Sequence, residues 1–153
     1  MSRSGYDDCD CDNQSLYLYR ANVDRAFDGK RGQAFLKEML AAMDAMPEKR
    51  LISFGFEIAE PRYPGERIGD VCALGTVSKS RGIKMPDVDP EDTDYAIGEI
   101  ASKRLGIAEC MAREIMYMND EFHNHRKTET PEERFARMRN WVEKQIRKAE
   151  GQS

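Results

Sequence analysis

At 153 residues, with 40% apolar and 34% charged side chains and a formal net charge of −4, the chain has the composition of one soluble domain. The near balance of 24 basic against 28 acidic residues removes any bulk electrostatic drive towards nucleic acid or an anionic membrane. No apolar run approaches the roughly 18 residues of a membrane span, and the polar start Met-Ser-Arg-Ser-Gly-Tyr is no secretory signal, so a cytoplasmic location with reduced thiols is expected.

Residues 1–12 interleave Asp7, Asp8, Asp10 and Asp12 with Cys9 and Cys11, which predicts a flexible acidic leader ahead of a single domain at 13–150. Leu16, Tyr19, Val23 and Phe27 then recur at helical spacing, with Asn13 or Ser15 as N-cap and Asp28-Gly29 as the stop. Gly32–Met46 places Phe35, Leu36, Met39, Leu40, Met43 and Met46 on one helical face and Lys37, Glu38 and Asp44 on the other. Its residues are strong helix formers, and Pro47 ends it because the residue before a proline is pushed out of the α region. This is the expected core helix, paired with its predecessor as an antiparallel hairpin across a link of about four residues.

Beyond Pro47 the period changes. Ile52, Phe54, Phe56 and Ile58 alternate with polar or small residues, which predicts a strand broken by Pro61 and Pro64-Gly65. Its partner is sought in Asp70–Val77, a stretch that fits either the return strand of a hairpin or a short helix ending at Gly82. Asp89-Pro90 reads as the start of a helix carrying Tyr95, Ile97, Ile100, Ala101 and Leu105 and ending at Gly106. Ile107–Tyr117 continues as a further helix, and Asn119–Glu129 as a polar connector. Thr130-Pro131-Glu132-Glu133 combines a threonine N-cap, proline at the first position and a capping-box glutamate, ahead of a stripe of Phe135, Met138, Val142 and Ile146. The expected fold is mainly α (α+β): a single helical domain of about five to six helices with a small β-hairpin near residues 51–77.

The pattern with most chemical content is Ala101–Ile107 continuing to Ile115, where Ser102, Leu105, Gly106, Ile107 and Ile115 satisfy helix-turn-helix spacing. On a nucleic-acid reading of the pair at 95–118, Lys103, Arg104 and Arg113 would touch phosphates or bases, against two repelling carboxylates, Glu109 and Glu114. The bland reading is two structural helices joined at a glycine. His123-Asn124-His125 with Asp120 falls short of four ligands in paired spacing, and Cys9-Asp-Cys11 lacks the gap of a zinc knuckle. Asp87, Asp89, Glu91 and Asp92 lack the glycine and glutamate of a calcium loop. No metal, cofactor or enzymatic constellation is therefore expected, and Cys72 and Cys110 read as buried, inert thiols.

Gly29-Lys-Arg-Gly-Gln-Ala-Phe-Leu36, Met46-Pro-Glu-Lys-Arg-Leu-Ile52, Val71-Cys-Ala-Leu-Gly75, Met118-Asn-Asp-Glu121 and Thr130-Pro-Glu-Glu-Arg134 resemble blocks of small uncharacterised proteins of temperate phages and prophages. The resemblance spans about Leu16 to Ile146 and implies a bacterial host cytoplasm and a phage-controlled gene. By analogy it implies a protein that binds a host or phage protein, including components of defence systems. Among these blocks, Asn119 suits a left-handed helix C-cap and Asp120 the following turn. Against that stands a polar binding spot built from Cys72, Asn119, Asp120 and Glu121 beside the Val71–Gly75 backbone. The leading expectation is a non-enzymatic interaction protein, with the nucleic-acid regulator as the alternative.

Overall fold

The computed structural model describes residues 13–87, 96–121 and 128–151. Among these residues run six helices: α1 (Asn13–Asp28), α2 (Lys30–Ala45), α3 (Ala73–Arg81), α4 (Ala96–Leu105), α5 (Glu109–Asp120) and α6 (Pro131–Ala149). The expected acidic leader at 1–12, the Asp89-Pro90 helix start and the His123-Asn124-His125 run lie outside the described residues.

The mainly helical class is what the structure has. α1 and α2 form the expected hairpin, tighter than expected because Gly29 alone separates them. The closeness is enforced by Gly32, where a Cβ would lie 1.9 Å from the Ala26 carbonyl oxygen. α2 buries Phe35, Leu36, Met39 and Met43, as its pattern requires. The start of α6 also follows its sequence, with the Thr130 hydroxyl accepting from the Glu133 amide at 3.1 Å and Pro131 in the first turn.

The expected β-hairpin near 51–77 is not formed. The second half of that region begins α3, the short helix ending at Gly82 that Asp70–Val77 also allowed, and the first half pairs with residues 69–72 through a single isolated antiparallel bridge, Glu57 to Val71. The period-two pattern did report burial: Ile52, Phe56 and Ile58 point inward. Amides of Ile52 and Ile58 even donate to Val71 and Asp70 carbonyls at 3.0 and 2.8 Å. Phe54, however, sits at φ 58°, a left-handed conformation that breaks any strand at its centre. Cys72 then turns the chain into α3, its sulfur accepting from the Gly75 amide at 3.3 Å. α3 is buried from Ala73 through Ser78 on every side, so it carries no amphipathic period for a sequence reading to detect. Its buried Thr76 and Ser78 hydroxyls bond back to the Ala73 and Gly75 carbonyls at 2.6 and 3.0 Å.

α5 is the most enclosed helix. It packs against α1, α3, α4 and α6, and nine of its 12 residues are buried. α2 covers the other side of the core, in contact with α1, α3 and α6. Trp141 of α6 closes one end with an edge-on contact to Phe27 of α1, ring centroids 5.6 Å apart. No helix among the described residues is long and apolar enough to cross a membrane.

Candidate functional site

The C-terminal turn of α5 gathers most of the residues singled out in the sequence. Asn119 is inside the helix rather than capping it in a left-handed conformation; the capping position belongs to Glu121, which is right-handed at φ −113°. Helical geometry turns the Asn119 and Asp120 side chains into the interior instead of into a solvent-facing turn. Asn119 Oδ1 accepts from the Ala73 amide at 3.1 Å. Its amide nitrogen donates to the Ile52 carbonyl at 2.8 Å and to Asp120 Oδ1 at 2.7 Å. That carboxylate oxygen also accepts from the Phe54 amide at 3.0 Å. Two adjacent side chains thus supply what a neighbouring strand would have given residues 52–54, and they hold the first amide of α3 as well.

Cys72, Asn119 and Asp120 line one crevice with Phe56, Leu74 and Ile115. Its volume is about 10 Å³, enough for one water. Burial, reinforced by the Asp120 charge, pushes the Cys72 thiol up to about 12, so it is protonated at neutral pH and is no nucleophile. The structure brings Cys72, Asn119 and Asp120 to one crevice, where Asn119 and Asp120 staple Ala73, Ile52 and Phe54 by hydrogen bonds. Glu121 is not among the residues that line the crevice, and its amide closes α5 on the Tyr117 carbonyl at 2.8 Å.

α6 contributes partners that the sequence reading missed. Arg137 donates to the Met118 carbonyl and, at 3.2 Å, to the Asn119 carbonyl, a cation on the negative end of α5. Glu129 holds Arg137 at 2.6 Å and Arg134 at 3.3 Å, and Arg134 reaches the Leu51 carbonyl at 3.0 Å. Burial presses the Arg134 guanidinium below its usual range. The available signal was Glu129, Arg134 and Arg137 around a strong helix start, which names a cluster without naming its target.

The nucleic-acid residues are separated by the fold. Lys103 is exposed on α4 and paired with Glu99 at 2.7 Å, while Arg104 bonds the Lys84 carbonyl. Arg113, expected on an exposed recognition face, is 1% exposed and ion-paired with Glu109. The physical reason is Gly98 of α4: a Cβ there would lie 2.7 Å from Arg113 Cγ, so the bare glycine makes the slot that takes the arginine inside. Glu114 is buried too, against Arg20 of α1 at 2.7 Å. The α4–α5 turn itself follows its spacing, with Gly106 at φ 72° and the Ser102 hydroxyl on the Ile107 carbonyl at 2.6 Å. Cys110 is half-buried rather than buried.

A larger concavity, about 510 Å³, opens between the end of α2 and the middle and end of α3. Ala42, Ala45, Met46 and Val71 give it apolar walls, and Ile68 stands at its lip 76% exposed. Beneath lies a buried Arg50–Asp70 ion pair at 3.1 Å, and Arg67 and Glu48 pair at 2.6 Å. Among the described residues no group of three or more His, Cys, Asp or Glu side chains is placed to hold a metal ion. Comparison of this chain with family models, with curated proteins and with solved structures finds no match.

Proposed function

We propose that this chain is a phage-encoded, non-enzymatic interaction protein that binds and modulates a host or phage protein, and that the groove between α2 and α3 is its docking surface. The observation that carries the reading is the exposed Ile68 beside an apolar-walled groove of about 510 Å³. That volume lies in the range of binding clefts, and an isoleucine held almost fully in water gains about 1.5–3 kcal/mol when a partner covers it. The charges around the groove are already paired within the chain, which suits an occupant that brings an apolar side chain rather than a charge. The nucleic-acid reading loses its central contact with Arg113 in the interior.

Tagged protein purified from bacterial lysate at moderate salt tests the proposal. A stoichiometric protein companion is expected with the native chain and its loss with Ile68→Glu, at an unchanged melting temperature. A companion that persists with Ile68→Glu would remove the groove from the proposal. Nucleic acid in the eluate that salt displaces would favour the regulator instead.

A further inference from the structure

Most cations on the described surface are engaged: Arg81 grips Glu38, Arg139 grips Asp44 and Lys103 grips Glu99. Arg25, Lys30 and Arg31 are exposed, and no side chain of the three has a hydrogen bond or ion pair to another described residue. Yet all three line one cleft of about 210 Å³, remote from the α2–α3 groove. Its opposite wall is Ile107, Ala108 and Met111 at the start of α5. In a chain of net charge −4, three unpaired positive charges around one concavity are not a consequence of composition. The carboxylates next in sequence to the lining residues are Asp24, held by Arg20, Asp28, exposed at the end of α1, and Glu109, held by Arg113.

A second observation concerns sign. α2 opens with Lys30-Arg31 and has no acidic residue in its first turn, the reverse of what the positive end of a helix favours. Neither α2 nor α5 has a side-chain cap at its start, the N-cap residues being Gly29 and Ala108. Both first turns, whose amides intrahelical bonding leaves free, contribute residues to the cleft: Gly32 beside the cations from α2, and Met111 from α5. Such like-charge crowding is unfavourable in the empty protein and becomes favourable with an anion between the groups.

We propose that this cleft binds a diphosphate group, either inorganic pyrophosphate or the diphosphate of a nucleotide. Three cations match the charge of a diphosphate. Arginine recognises phosphate oxygens through paired donors, and lysine as a point charge. A volume of about 210 Å³ takes two phosphates and leaves the remainder of a nucleotide outside.

Calorimetric titration of the full chain at low salt, with pyrophosphate and with ADP, tests the proposal. One site is expected for both ligands, weakening as salt rises. The Lys30→Glu/Arg31→Glu variant should lose about tenfold or more in affinity. Lys144→Glu/Lys148→Glu, an equal change of net charge at residues that do not line the cleft, should weaken binding much less. Equal affinities assign recognition to the diphosphate alone, and tighter ADP binding adds the nucleoside; both outcomes support the site. Should the double reversal not fold, Arg25→Gln serves in its place, with a smaller loss expected. Silence from both ligands up to about 10 mM, a concentration that would reveal even millimolar affinity, overturns the proposal. So does equal weakening by the control variant, or binding of duplex DNA with neither small ligand.

Discussion

Asn119 spends its whole side-chain amide on three elements at once: the amide of Ala73, the carbonyl of Ile52 and the carboxylate of Asp120. Asn119→Ala leaves a buried donor and a buried acceptor without partners, each costing about 1–3 kcal/mol. Urea unfolding should show about 2–4 kcal/mol lost, and a loss below about 1 kcal/mol would mean that water takes over those bonds. Cys72 gives a second test at this scale. A thiol moved from 9.0 to about 12 holds about a thousandfold less thiolate at pH 8, so alkylation of native protein should modify half-buried Cys110 well before Cys72. Because the folded value is raised, the neutral thiol's contribution to stability is complete below pH 9 and is lost as pH climbs from 9.0 towards about 12. Equal labelling of the two cysteines by peptide mapping would contradict this. The identity of these residues was legible from the resemblance of their sequence blocks. Their partners were not, because Ala73, Ile52 and Phe54 lie 46 to 67 positions away along the chain.

At the scale of elements, glycines decide how closely helices approach. Gly75 brings α3 against the 52–58 segment, and a Cβ there would stand 2.1 Å from the Phe56 carbonyl oxygen and 3.0 Å from Val71 Cβ. Gly75→Ala should therefore cost about 3 kcal/mol or more, or prevent folding, since backbone cannot step aside as a flexible side chain can. Gly82 ends α3 at φ 70° with open space around it, so Gly82→Ala carries only conformational strain, about 1 kcal/mol. Thermal melts of the two variants should separate clearly, and similar melting temperatures would deny that α3 is held by close backbone approach. Helices with one apolar face and a recognisable start or stop were legible: α2 by its stripe and Pro47, α6 by Thr130-Pro131. α3 was half legible: a short helix ending at Gly82 was one of two readings of its stretch, and enclosure all round left no period to choose between them. The interior of α5 was not legible, where Arg113 and Glu114 carry exposed-looking letters and are buried because Gly98 and Arg20 receive them.

Across the whole molecule, ion pairs tie helices that are distant in sequence. Arg81 of α3 clasps Glu38 of α2 at 2.6 Å and also reaches the Leu105 carbonyl at the end of α4 at 2.9 Å. The Arg81 hydrogen bond holds the Glu38 carboxyl below its ordinary range. With the folded value lowered, that pair stabilises fully above the unfolded value of 4.5 and is lost as pH falls below it. The pair is partly solvated and is worth about 0.2–1 kcal/mol, so the melting temperature should hold from pH 7 to 5, decline below about 4, and decline less steeply in Glu38→Gln. An identical acid profile for the variant would show that the pair contributes nothing.

The sequence by itself determined the mainly helical character, the α1–α2 hairpin, the tight Gly106 turn and the capped start of α6. Each depends on local terms: apolar period, helix propensity, caps and breakers, which act within one or two turns of chain. Only the tertiary structure decided that the Ile52 carbonyl and the Phe54 amide bond side chains of α5 while the rest of 52–58 leans on the backbone of 69–72 without forming a strand. It also decided that α3 is a buried helix, that Arg113 points inward, and that Arg25, Lys30 and Arg31 meet around one cleft. These outcomes depend on groups far apart in sequence satisfying one another's hydrogen bonds, volume and charge, which no local pattern encodes.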